Sequence, residues 1–70
     1  MDKYLTLFIN GDPFHYDSSM SLQSILLYLD FDPDSILVEY NNQIIDKRNF
    51  NALFFQHNDS IEIITAVGGG

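Results

Sequence analysis

The 70-residue chain contains no cysteine. That absence excludes a disulfide framework, a cysteine-based zinc site and a thiol nucleophile together. Any sulfur chemistry must therefore bypass the side chains. Basic residues are almost as scarce, with three Lys and Arg against ten Asp and Glu, for a formal net charge of −7. Phosphate backbones and anionic lipid repel such a chain, so nucleic acid and membrane surfaces are not expected partners, and a basic protein is the natural complement. Apolar runs never exceed a handful of residues, too short to span a bilayer. The start, "MDKYLTLF", lacks the basic-then-apolar pattern of a signal peptide. The composition is poor in Ala and Arg and rich in Asn, Ile, Phe, Tyr and Asp, as in an AT-rich genome. The expected compartment is cytoplasmic, or the plastid stroma for an organelle-encoded chain. Glycine is scarce until the end: Gly11 stands alone, and Gly68, Gly69 and Gly70 close the chain. No glycine-rich phosphate loop is present.

What is present is ample material for one core. Hydrophobic residues make up 46% and aromatic residues 14% of the chain. A chain of this length buries roughly 60% of its unfolded surface, enough for one compact domain, 1–70. Leu5, Leu7 and Ile9 alternate with Tyr4, Thr6 and Phe8, the period of a strand. Asn10-Gly11-Asp12 is a hairpin turn signal, and "PFHYD" reads as the return strand. Ser21 is a good helix N-cap, followed by Leu22, Ile25, Leu26 and Leu29 on one helical face. Asp32-Pro33 is expected to end that helix by that point. "ILVEY" is a third strand, Asn41-Asn42 a turn, and "QII" begins a short fourth strand. "DKRNFNALFF" is expected to form a short helical turn that puts Phe50 and Leu53 in the core. "SIEIITAV" is the last strand and runs straight into the glycines. The order β-β-α-β-β-β predicts an α+β layer, a sheet with a helix across one face.

Most candidate sites have structural explanations. His15 and His57 have no metal-ligand spacing. Asp30, Asp32 and Asp34 lack the ligand pattern of a calcium loop and read as a solvated turn. Ser18, Ser19, Ser21 and Ser24 surround a helix start and suit capping better than nucleophilic attack. No catalytic residue and no metal site are expected. The tail is different. It is either an inert frayed end or a functional terminus. Extended, Val67, Gly68, Gly69 and Gly70 reach roughly 13 Å at about 3.3 Å per residue. Without side chains they could thread a narrow tunnel and deliver the terminal carboxylate to another protein's chemistry. Ordering glycines has a high entropic cost, so recognition is expected from the folded body. Strand parity turns Phe8, Leu37 and Ile64 away from the helix-covered face, as one candidate partner-binding patch.

"LFING", "MSLQSILLYLDFDPDSILVEYNNQIIDKRNF" and the ending "DSIEIITAVGGG" together resemble the ThiS family, the ubiquitin-like sulfur carrier proteins of thiamin biosynthesis. The resemblance covers essentially the whole chain, and its ending is the specific part. Asn41-Asn42 replaces a frequent Asn-Gly, and "DKRNF" replaces a proline-arginine version; neither departure touches the tail. The resemblance implies a β-grasp fold, with a mixed sheet of about five strands and one main helix. It implies that Gly70 is adenylated by a ThiF-type enzyme using ATP and magnesium, then converted to a thiocarboxylate with sulfur from a sulfur-transfer protein. The thiocarboxylate would supply a ThiG-type thiazole synthase. The chain itself would bind no cofactor and would be a protein co-substrate, not an enzyme. Two alternatives stand beside this: a small subunit of the molybdopterin-synthase type, and a ubiquitin-like interaction domain whose tail is inert.

Overall fold

A computed structural model describes residues 3–65. Five strands are present: β1 (Tyr4–Ile9), β2 (Asp12–Asp17), β3 (Ile36–Tyr40), β4 (Gln43–Ile44) and β5 (Asp59–Thr65). One α-helix, α1 (Leu22–Tyr28), follows β2, and 3-10 turns occupy Pro33–Ser35 and Lys47–Ala52. The sheet order is β2-β1-β5-β3-β4. β1 and β5 run parallel, while every other pairing is antiparallel. The last strand therefore enters the middle of the sheet beside the first. This is the expected β-grasp, ubiquitin-like arrangement.

Local chemistry explains each element. Asn10 and Gly11 both hold positive φ, 51° and 88°, as a two-residue hairpin requires. No atom lies within 4 Å of a Cβ built on Gly11, so backbone conformation, not space, selects glycine there. Asn41 and Asn42 repeat the device at φ 54° and 65° without any glycine. Asn tolerates the left-handed region well enough for the pair to close the second hairpin. The Ser21 hydroxyl accepts the Ser24 amide and caps α1.

The helix ends at Tyr28, ahead of the Asp32-Pro33 limit expected from the sequence. Asp30 adopts φ 67°, its amide bonds to the Leu27 carbonyl, and the Phe31 amide bonds to the Leu26 carbonyl. This is a Schellman ending, with aspartate in the position glycine usually takes. The ending satisfies carbonyls of the last turn before Pro33 is reached.

Leu22, Ile25 and Leu26 of α1 pack against Leu7, Val38, Ile61 and Ile63 of the sheet. Each such buried side chain contributes about 1.5–3 kcal/mol of burial free energy. The 3-10 turn Lys47–Ala52 inserts Phe50, only 1% exposed, into the same core, with Leu53 partly buried against it. Asp46 fixes that turn by accepting the Arg48 amide. Among the described residues, no helix is long and apolar enough to cross a membrane.

Candidate functional site

Val67, Gly68, Gly69 and Gly70 lie outside the described residues. The site is therefore built up to Thr65, where β5 ends. Ile61 and Ile63 are buried beneath α1, so alternation puts Ser60, Glu62 and Ile64 on the opposite, outer face. β3 follows the same rule: Val38 is buried, and Leu37 faces outward. Leu37 and Ile64 are direct register partners, 52% and 48% exposed. They meet beside the last described residues of β5. A surface groove of about 210 Å³ runs beside them, lined by Asp34, Ser35, Ile36, Leu37, Ile64 and Thr65.

Phe8 shares the outer face but not this cluster. It is half-buried, opposite Pro13 on one side and Ser60 on the other. Ile64 lies four positions beyond Ser60, roughly 13 Å away at about 3.3 Å per residue. Glu62 stands between them. The single patch expected from parity is thus divided, because the β1–β5 register is set by non-local pairing that parity does not contain.

Ile44 is an apolar outer-face residue that the sequence reading passed over. It pairs with Glu39 across the β3–β4 hairpin and is 55% exposed. The signal was available: a two-residue turn at Asn41-Asn42 forces Tyr40 against Gln43 and hence Glu39 against Ile44.

The electrostatics of this face are one-sided. Glu39 stands directly opposite Glu62, a like-charge pairing that destabilises a sheet. Both carboxylates line a shallow depression with Asn41, Asn42 and Ser60. The three basic residues, Lys3, Lys47 and Arg48, all lie outside the strands. Lys47 pairs with Asp34 and Arg48 with Asp46, so neither neutralises the glutamates. The Asp46 carboxyl is held down to about 2 by the Arg48 side chain and, secondly, the Arg48 amide.

The two histidines converge on one residue. The Thr6 amide donates to His57 Nδ1 at 3.1 Å, and the Thr6 hydroxyl lies 2.9 Å from His15 Nδ1. Among the described residues, no group of three or more His, Cys, Asp or Glu is arranged to hold a metal. Asp32 accepts the Asp34 amide and the Ser35 hydroxyl, which accounts for part of the acidic turn.

A set of partly buried polar groups lies at the far end of the sheet. The Tyr40 hydroxyl donates to Asp59 Oδ2 at 2.7 Å, and the Gln56 amide donates to the same oxygen at 2.8 Å. The hydrogen bond to Asp59 raises the Tyr40 hydroxyl above its ordinary range. The Tyr16 hydroxyl is raised too, first by burial and then by the Asp59 charge. None of these groups lies at the tail's root, and they belong to the packing of the domain.

Comparison with known proteins agrees with this geometry. The ThiS family model matches residues 7–70. The ycf40 protein of Porphyra purpurea is 40% identical over 70 residues, covering 100% of this chain and 99% of that one. A thiazole synthase of Magnetococcus marinus is 29% identical over 66 residues, covering 94% of this chain but 20% of the longer protein. The crystal structure of the thiamine biosynthesis protein ThiS from Geobacter metallireducens superposes with a TM-score of 0.77 at 26% identity, covering 94% of this chain and 100% of that one. With nearly the whole length matched through the glycine ending, and the β-grasp sheet in common, the chain belongs to the ThiS family.

Proposed function

We propose that this protein is a sulfur carrier for thiazole formation in thiamin biosynthesis, with the Gly70 carboxylate as its reactive group. The observation that carries the reading is a family match extending to Gly70, on a domain whose central strand ends at Thr65, five residues before Gly70 in sequence. A carboxylate is a poor acylating group. In a ThiF-type enzyme, the Gly70 carboxylate oxygen attacks the α-phosphorus of magnesium-bound ATP and pyrophosphate leaves. Sulfide sulfur, delivered by a sulfur-transfer protein, then attacks the carbonyl carbon. The C–S bond forms, AMP departs with the former carboxylate oxygen, and no electrons change hands. The resulting thiocarboxylate supplies a ThiG-type thiazole synthase. The carrier is a co-substrate in this scheme and performs no catalysis.

Docking falls to the folded body. Leu37 and Ile64 form the apolar contact, and Glu39 and Glu62 favour a basic partner surface. Phe8 sits further along the same face, where it meets only the partner's periphery. The thiazole synthase relatives resemble this chain over a fifth of their length, so carrier-like and synthase-named sequence share one polypeptide there. That favours the thiazole pathway over molybdopterin. The proposed compartment is the cytoplasm, or the plastid stroma for an organelle-encoded copy.

The test is intact-mass measurement after incubation with the activating enzyme, ATP and a sulfur donor. The mass gain of one oxygen-to-sulfur exchange is expected, located on Gly70 and lost when Gly70 is deleted. An unchanged mass in the full chain would overturn the reading and leave an inert tail.

A further inference from the structure

Asn10 follows directly on β1 at φ 51°, so its main chain turns away from the sheet after a single bond, from its amide to the Ile61 carbonyl at 3.0 Å. Its side chain continues where the main chain departs. The Ile63 amide donates to Asn10 Oδ1 at 2.7 Å, and Asn10 Nδ2 donates to the Ile63 carbonyl at 3.1 Å. A carboxamide carries the same donor and acceptor as a peptide group. The Asn10 side chain therefore adds one more rung to the parallel β1–β5 ladder. Its orientation is unambiguous, because an amide can meet only the oxygen and a carbonyl only the NH2.

The residue held is Ile63, two positions before the end of β5. On the other side of β5, β3 pairs as far as Ile36 with Thr65. On the β1 side the ladder would end at Ile61 without the carboxamide. Asn10 thus makes the hold on β5 two-sided just before the tail begins. A strand gripped on one edge can swing; a strand gripped on both is fixed at Ile63.

We propose that Asn10 is a positioning residue for the C-terminal tail, its carboxamide clamping Ile63 so that the following residues are aimed into the activating enzyme's channel. The inference rests on the sulfur-carrier reading and assigns Asn10 no contact with the reacting carboxylate. Few residues could replace it. Aspartate keeps the acceptor for the Ile63 amide but sets a carboxylate oxygen against the Ile63 carbonyl. Glutamine is one methylene too long, and serine too short. Glycine keeps the positive φ the turn needs and removes only the clamp.

The experiment uses the full chain and the activating enzyme, reading ATP–pyrophosphate exchange against carrier concentration, with melting curves and amide hydrogen exchange alongside. In Asn10→Gly, kcat for exchange is expected to fall roughly tenfold, the scale of a net hydrogen bond or two. KM should stay within about twofold, because Leu37 and Ile64 are untouched. Exchange of the Ile63 amide should quicken roughly tenfold. Asn10→Asp, with half the clamp, should fall between the two in kcat, and it supplies the test if the glycine variant does not fold. Wild-type kcat in both variants, or a change confined to KM, overturns the positioning role while the carrier reading stands. No exchange with wild-type protein overturns the carrier reading itself, and the positioning role with it.

Discussion

Ile64 of β5 stands directly across from Leu37 of β3, and the two expose about half their surface on the sheet face turned away from α1. Neither contributes to the core, so their exposure is available for a partner. Ile64→Asp removes the apolar contact and places a third carboxylate beside Glu62. Binding to the activating enzyme should weaken by at least about 2 kcal/mol, roughly 30-fold in Kd. Stability should shift by no more than about 0.5 kcal/mol, as for other surface substitutions. Phe8→Ala, outside the pair, should cost less than about 1 kcal/mol of affinity. Calorimetric titration with paired melting curves decides: equal losses from Phe8→Ala and Ile64→Asp would restore the undivided patch.

Gly68→Ala and Gly69→Ala should slow transfer, while Thr65→Ala should not. A methyl group adds bulk in a channel sized for bare backbone and closes off positive φ. The effect belongs in kcat with melting unchanged. Kinetically silent alanines would leave flexibility as the only use of the tail.

How much of this was legible beforehand follows from the range of each interaction. Strand parity is local, so Leu7, Val38, Ile61 and Ile63 could be assigned to the core and Leu37 and Ile64 to the outer face from alternation alone. The Ser21 cap and the two Asn-led turns are equally local. The offset of Phe8 from Ile64 depends on pairing between residues some fifty positions apart, and no periodicity carries that. Asp30 escaped as the helix terminator because glycine, not aspartate, is the usual signal. Asn10 was legible as a turn residue, but its second role needs Ile63 beside it in space. The tail's chemistry came from resemblance, since bare glycines carry no pattern.

Tyr16 is 2% exposed, and its hydroxyl has no hydrogen-bond partner among the described residues. Tyr16→Phe should be neutral or stabilise by up to about 1 kcal/mol, since it deletes a desolvated polar group and preserves the ring. Tyr40→Phe should instead destabilise by about 1–3 kcal/mol, because the Tyr40 hydroxyl serves the Asp59 carboxylate. Both hydroxyls titrate above their ordinary range in the folded chain. The stability linked to each is complete below about pH 10 and is lost as pH rises towards the folded value. Denaturant melts from neutral pH to the alkaline limb check both the order of the two variants and the slope. A stabilised Tyr40→Phe would refute the assignment.

Asp46 governs the acid limb. Its carboxylate accepts the Arg48 amide at 2.8 Å and the Arg48 side chain at 2.7 Å, so it caps the Lys47–Ala52 turn and pairs with a charge at once. With the folded value lowered to about 2 from an ordinary 3.8, the unfolded chain binds the proton first as pH falls. The linked stability is therefore present above the ordinary value and disappears as pH drops towards about 2. The pair is exposed, and salt should weaken its charge component. Asp46→Asn separates the two roles: its side-chain oxygen still caps the turn, so neutral-pH stability should largely survive while the acid slope flattens. Asp46→Ala should lose the cap as well and loosen the turn that carries Phe50 into the core. Melting curves between pH 2 and 7, in low and high salt, distinguish them. If Asp46→Asn and Asp46→Ala are equally destabilised at neutral pH, charge pairing and not capping holds the turn. If Asp46→Asn keeps the wild-type acid slope, the limb belongs to other carboxylates.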